Sequence, residues 1–300
     1  MKAAKGTSAA EKRQQKAQRK HKQKLEHKLR KHNELLSDEE TNPVGKLSKT
    51  LSDQEHQSVL FAPYRAFGVY TSAVPFCVYK SGEDTLIASV VGKHAFYVYN
   101  TTKLGIVFMS RFIAEEITYL QAAPTGLIYT ALKETNSIVA WNKMHQHASY
   151  SGHTESILQF IVTASLIFSL GENGEFLIFN LQTGQVAKQF RFENRDLAGL
   201  MHPVTYVNKM LFYGGTQMEL WNVIEQEKIY SFTLPSTIET VVQSPVVDVV
   251  AVGCTDGSIH LINLLYDEVL FRFNHRDGAV SAITFLTDAT LGLSLMASTS

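Results

Sequence analysis

The sequence predicts an all-β fold of repeated four-stranded units, a β-propeller, and three observations carry the expectation. Short apolar segments end in Asn at Asn100, Asn142, Asn180, Asn222 and Asn263, spaced by 42, 38, 42 and 41 residues. Turn-forming residues stand in phase before them, at Gly92, Asn136, Gly174, Gly215 and Gly257. Upstream of each turn lie further short runs rich in Val, Ile, Phe and Tyr, such as "SILQFIV" then "LIFSLG", or "TIETVV" then "VVDVVAVG". Four antiparallel strands recurring every 40 to 45 residues or so make a propeller blade, which cannot bury both faces alone and must stack on its neighbours.

Taken in order, the chain begins with a basic tail, residues 1–32. It carries twelve of the 28 Lys and Arg of the chain against only Glu11 and Glu26. The net charge of zero therefore joins a tail of about +10 to a body of about −10, an asymmetry that suits an anionic partner, nucleic acid ahead of membrane. The tail has good helix formers but no apolar stripe, so it is expected to be disordered or transiently helical. Lys12, Arg13, Lys16, Arg19, Lys20, Lys22, Lys24, Lys28, Arg30 and Lys31 are its candidate RNA-binding or nuclear-targeting residues. Residues 33–60 lack a sustained apolar period and are rich in Ser, Asp and Glu, as a flexible linker is.

Residues 61–300 are expected to form the propeller. Five full blades run from about Val74 to Phe273 and a sixth begins near Val280; its third-strand Asn would fall just past Ser300, so the first ring is expected to be incomplete. The segment from Phe61 to Val69 reads as a strand that closes the ring from the N-terminal side. The apolar stretch Ile157 to Leu170 reads as two core strands around a turn, being too short and too interrupted to span a bilayer. Each recurrent Asn is expected to close a third strand and accept hydrogen bonds from the N–H groups of the following turn, a structural role. Six positions after four of these Asn residues stands an apolar residue, Ile106, Ala148, Val186 or Val269.

These repeats resemble the WD-repeat family. Trp141-Asn142 and Trp221-Asn222 stand where that family has Trp-Asp, and Gly152-His153 matches its Gly-His. The match is degenerate, so the family's buried Asp-His-Ser-Trp hydrogen-bond network is expected to be incomplete in most blades.

Four phrases, "FAPYRAFG", "HPVTYVNKML", "LWNV" and "SPVVDVVAVG", are similar to the WD-repeat thirty-six family, and the likeness runs in order from Phe61 to the end. The resemblance implies a non-catalytic scaffold of the nucleolar small-subunit processome, supporting ribosomal RNA precursor processing. It further implies WD-repeat and helical-repeat partners in the B subcomplex of U three proteins, with pre-ribosomal RNA and small nucleolar ribonucleoprotein nearby, and no membrane. A WD-repeat adaptor outside the nucleolus is the other reading.

The residues point away from catalysis and cofactors. There is no Gly-x-Ser-x-Gly elbow, phosphate-binding loop or Cys-x-x-Cys pair. Cys77 and Cys254 each sit in an apolar run and read as small hydrophobes in a reducing compartment. His145, His147 and His153 spread over a turn, a strand and the next repeat's start without a nearby Cys, which does not make a zinc site, and no cofactor is expected.

Overall fold

The computed structural model describes residues 73–299 except 104, 193–195, 275–277 and 289–292. Blade 1 holds β1 (Cys77–Ser81), β2 (Asp84–Val91), β3 (Ala95–Asn100) and β4 (Gly105–Met109), and blade 2 holds β5 (Ile117–Ala122), β6 (Ile128–Leu132), β7 (Ser137–Asn142) and β8 (His145–Tyr150). Blade 3 holds β9 (Ile157–Val162), β10 (Leu166–Gly171), β11 (Glu175–Asn180) and β12 (Val186–Arg191). Blade 4 holds β13 (Gly199–Met201), β14 (Lys209–Gly214), β15 (Gln217–Asn222) and β16 (Glu227–Thr233). Blade 5 holds β17 (Ile238–Gln243), β18 (Val249–Cys254), β19 (Ser258–Asn263) and β20 (Glu268–Asn274); β21 (Ala282–Asp288) and β22 (Leu293–Thr299) follow as a two-stranded sheet. Every blade is a four-stranded antiparallel sheet in chain order, and the first strands of successive blades touch, so they form the innermost layer of a β-propeller.

The expected strand pair of blade 3 is β9 and β10. The apolar run from Val246 reads in the sequence as continuous strand, but β18 starts only at Val249, and Ser244 to Asp248 form a loop ending in a left-handed Asp248 (φ 62°). Apolar composition alone does not distinguish a buried strand from an exposed aliphatic loop.

The apolar core is divided into seams, each shared by two neighbouring blades. Leu86, Phe96 and Val98 of blade 1 meet Ile117, Leu120 and Trp141 of blade 2; Tyr150 of blade 2 meets Phe160, Ile167 and Phe179 of blade 3. Phe168, Phe176 and Ile178 of blade 3 meet Leu200, Met210 and Phe212 of blade 4, and Leu220 and Phe232 of blade 4 meet Val250, Val252 and Ile262 of blade 5. A smaller cluster joins Ala251 and Ile259 to Val280 and Ile283. Side chains alternate between strand faces, so along β11 Phe176 and Ile178 enter the seam with blade 4 while Leu177 and Phe179 enter the seam with blade 2. Both faces are covered, so inner strands read as unbroken apolar runs.

All five Asn residues end third strands, yet their environments differ. Oδ1 of Asn100 accepts from the N–H groups of Thr102 and Lys103, both at 2.9 Å. Asn180 does the same for Gln182 and Thr183 at 2.8 and 3.1 Å, and Asn263 for Leu265 and Tyr266 at 2.9 and 3.3 Å. Asn222 accepts from Ile224 and Glu225 at 3.1 and 3.3 Å, and its amide donates to Glu225 at 2.6 Å. Asn142 is exposed and stands directly opposite His145, across a turn of only Lys143 and Met144, whereas four residues follow Asn100, Asn222 and Asn263 before pairing resumes. Lys143 takes φ 55°, as a two-residue hairpin turn requires.

That short turn also corrects the phase of Ala148. In the other blades the residue six positions after Asn faces the residue just before it, as in Tyr99↔Ile106, Phe179↔Val186, Trp221↔Lys228 and Ile262↔Val269. In blade 2 Gln146 takes that place opposite Trp141, and Ala148 moves on to Ala140. All five blades share one irregularity: the register between third and fourth strands slips immediately before the residue that precedes Asn, leaving one bulged residue on the outer strand.

Substitution of these positions should separate the environments. Asn180→Ala should cost about 1 kcal/mol through two lost turn bonds, while Asn142→Ala should fall within about 0.5 kcal/mol of the parent. Trp221→Ala should cost about 3 kcal/mol, more than Asn222→Ala, because the indole packs edge-on to Phe192 at 5.2 Å. Urea unfolding midpoints measure all four, and equal shifts for Asn142 and Asn180 would contradict the assignment.

Candidate functional site

Blade 3 holds a buried polar group with hydrogen bonds on several sides. His153 Nε2 lies 2.7 Å from Ser169 Oγ, and Nδ1 lies 3.2 Å from Glu175 Oε2. Glu175 can only accept, which puts the imidazole proton on Nδ1 and leaves Nε2 to accept from the Ser169 hydroxyl. Thr154 donates its N–H to the same Glu175 oxygen at 2.9 Å, and Gln189 donates to the other oxygen at 2.9 Å. Gly171 packs beside the ring: a Cβ there would come within 3.2 Å of His153 Nδ1. At Gly174 (φ +77°) a Cβ would come within 2.7 Å of the Phe192 carbonyl oxygen, so the turn that delivers Glu175 requires glycine.

The connectivity of Ser169, His153 and Glu175 is that of a hydrolytic triad, but the setting is wrong for one. The His153 side chain has no exposed surface, that of Glu175 is 6% exposed, and Ser169 is wholly buried. With no route for a substrate to the hydroxyl, the group is an internal fastener between the start of blade 3 and its second and third strands.

Other blades keep only pieces of such a network. Trp141 donates its indole N–H to Thr130 Oγ1 at 2.8 Å, and Trp221 donates to Glu219 at 2.9 Å. Phe179 holds the corresponding place beside Asn180, and its ring lies 6.2 Å from that of His153. In blade 5 Asp256 accepts from the Ser258 hydroxyl at 2.6 Å, and that hydroxyl lies 3.0 Å from His260 Nε2.

His145 and His147 lie exposed on β8, and Arg111 lies 2.8 Å from His145 Nδ1; His153 faces Ser169 and Glu175 instead. The three are not brought together, and among the described residues no group of three or more His, Cys, Asp or Glu could hold a metal ion. Cys254 is buried and Cys77 half-buried, both as free thiols; burial pushes the Cys77 thiol up to about 11. Both are therefore protonated and unreactive at neutral pH. Among the described residues no helix is long and apolar enough to cross a membrane. The basic residues from Lys12 to Lys31 and the segment Phe61 to Val69 lie outside the described residues.

Sequence reasoning found His153 through its Gly-His pair but missed Glu175. The contact spans 22 residues and the fastener uses a Glu, for which the WD-repeat pattern offers no signal.

Burial holds the His153 pKa below its ordinary value even though Glu175 opposes the shift. Burial by itself would raise Glu175, but the Thr154 N–H and His153 bring its carboxyl below the usual range. Both folded-state values are depressed, so the stability they contribute is present at neutral pH. The His153 part is lost as pH falls below about 6.5, its unfolded-state value, and the Glu175 part only below about 4.5. The thermal midpoint should therefore drop between pH 7 and pH 5. His153→Gln should melt lower at pH 7 and lose less on acidification; parallel pH profiles from scanning calorimetry would refute this.

Comparisons with known proteins agree with the bladed fold. A family model described as the WDR36/Utp21 first beta-propeller matches residues 87–300. Human WD repeat-containing protein 36 is 30% identical over 244 residues, covering 79% of this chain and 27% of that protein. The U3 small nucleolar RNA-associated protein 21 homolog of Schizosaccharomyces pombe is 26% identical over 245 residues, covering 78% of this chain and 26% of the relative. U3 small nucleolar RNA-associated protein 21 of Saccharomyces cerevisiae is 20% identical over 261 residues, covering 83% and 28%. The chain thus spans about a quarter of the length of these relatives. With more than two thirds of its residues matched, the chain belongs to the WDR36/Utp21 family, where it corresponds to the first β-propeller.

Proposed function

We propose that this chain is a non-catalytic scaffold of the nucleolar small-subunit processome, supporting ribosomal RNA precursor processing and small ribosomal subunit assembly. The observation that carries the reading is the match of residues 87–300 to the first propeller of a family two of whose yeast members are named for association with U3 small nucleolar RNA. The blade architecture supports it, since stacked sheets joined by loops offer rigid docking edges. The fastener at His153 supports it too, because the Ser169 hydroxyl beside the imidazole is sealed inside a blade. In this reading the partners are WD-repeat and helical-repeat subunits of the B subcomplex of U three proteins, and the residence is the nucleolus. The basic residues Lys12 to Lys31 add affinity for pre-ribosomal RNA by neutralising phosphates without reading sequence.

Affinity purification of the tagged chain from nuclear extract, with U3 small nucleolar RNA and precursor ribosomal RNA quantified in the eluate, tests the reading. Both RNAs should be enriched well above an unrelated propeller, and the chain should localise to the nucleolus. A cytoplasmic chain without either RNA would place it among general adaptors instead. Deleting residues 1–32 should weaken RNA binding in vitro and flatten its salt dependence without moving the thermal midpoint; unchanged binding across the salt series would remove the tail from the account.

A further inference from the structure

The two ends of the propeller differ in chemistry. In a sheet with strands in chain order, the loop after the first strand and the loop after the third lie at one end, and the loop after the second strand lies at the other. That second end carries the ion pairs Lys93–Glu116 at 2.7 Å, Lys133–Glu116 at 3.5 Å and Asp256–Arg272 at 3.8 Å, with one exposed aromatic, Phe112, between blades 1 and 2.

The first end is different in blades 4 and 5. The loops after their first strands expose Val204 (76%) and Val207 (87%) in blade 4 and Val246 (60%) and Val247 (62%) in blade 5. The loops after their third strands add Ile224, Leu265 and Tyr266, each at least half exposed. The four loops form one hydrogen-bonded group. Val223 N–H donates to the Asn208 carbonyl at 2.9 Å and Leu264 N–H to that of Asp248 at 2.7 Å, while Thr205 Oγ1 reaches from blade 4 to Asp248 at 2.7 Å. The aliphatic surface is therefore presented by ordered backbone.

The fold does not require this surface to be apolar. The second residue after the third-strand Asn is Thr102 in blade 1 and Gln182 in blade 3, and there the same Asn-capped turn forms with its polar side chain. The residue ahead of it is the one the fold uses: Val223 and Leu264 are both buried. Ile224 and Leu265 thus spend apolar surface on solvent where blades 1 and 3 do not. Clustering of this kind marks an interaction site.

The rim is acidic. Glu225, Glu227, Asp267 and Glu268 are exposed around the two outer loops. These four carboxylates outnumber the nearby cations: Lys228 is paired with Glu219 at 3.3 Å, which leaves Lys209, over the Tyr206 ring at 4.2 Å, and Lys188, donating to the Ile224 carbonyl. Such a rim repels phosphate, which disfavours RNA here, and attracts Lys and Arg.

We propose that the loops after the first and third strands of blades 4 and 5 form a docking site for a segment of a partner protein that carries aliphatic side chains flanked by Lys or Arg. The aliphatic side chains cover Val207, Ile224, Val247 and Leu265, and the basic flanks meet the acidic rim. The site is independent of the particle the chain joins, so it stands or falls apart from the processome reading.

Binding of a labelled synthetic peptide of leucines flanked by lysines to the 300-residue chain, measured by fluorescence anisotropy, tests the proposal against a counterpart with glutamates in place of the lysines. The lysine peptide should bind at least about tenfold more tightly and weaken with added salt. Ile224→Thr with Leu265→Gln, which install the kinds of residue found in blades 1 and 3, should reduce binding by about tenfold and leave the thermal midpoint unchanged. Glu227→Lys with Glu268→Lys should abolish the preference for lysine flanks. Equal binding of the two peptides, no binding of the lysine peptide, or full binding by the folded Thr/Gln variant would overturn the proposal. So would self-association in sedimentation that the Thr/Gln variant abolishes, which would make the occupant a second copy. Peptide binding that appears only after residues 1–32 are deleted would make it the chain's own tail, and would equally overturn it.

Discussion

Everything in this propeller depends on one constraint: a blade is too thin to have an interior of its own. Its inner strands send alternate side chains left and right, so Phe176 and Phe179 on one strand belong to different cores. Phe176 meets Phe212 of the next blade edge-on at 5.0 Å, while Phe179 meets Tyr150 of the preceding blade at 6.0 Å. Each such aromatic buries a large area, and its contribution exists only while both blades are in place. The elements are therefore cooperative with their neighbours before anything else.

The same constraint explains where polar chemistry can sit. Seams take the faces of the sheets, so a polar group buried there must find its partners inside the blade. The His153, Ser169 and Glu175 group is one such fastening, satisfied on every side. Loops are released from packing, which leaves them free to differ between blades and to carry recognition. Between Thr102 and Ile224, two residues at one turn position, the backbone task is identical and only the surface offered to solvent changes.

Much of this was legible in the amino-acid sequence because turns leave strong local signals. Gly92, Asn136, Gly174, Gly215 and Gly257 all adopt left-handed φ between 49° and 80°, the conformation that selects Gly and Asn. The interval of 38 residues after Asn142 was visible too, and part of its cause is the two-residue turn at Lys143 and Met144. What escaped were features set by distant partners or by solvent. Nothing local marks Glu175 as the acceptor for His153, and only Pro245 and Asp248, easily overlooked in so apolar a stretch, separate exposed Val246 and Val247 from buried Val249 and Val250. The tail was legible only as charge.

The most direct measurement of the central claim is native-state hydrogen exchange on the parent and on Phe176→Ala. Phe176 is wholly buried in the seam between blades 3 and 4, and its truncation should cost about 3 to 5 kcal/mol. If the seams carry the fold, amides of β10 and β11 in blade 3 and of β14 and β15 in blade 4 should lose protection together, while those of β2 and β3 in blade 1 keep more of theirs. Loss confined to blade 3, with blade 4 protected as in the parent, would contradict the account, because it would mean that each blade is stable by itself.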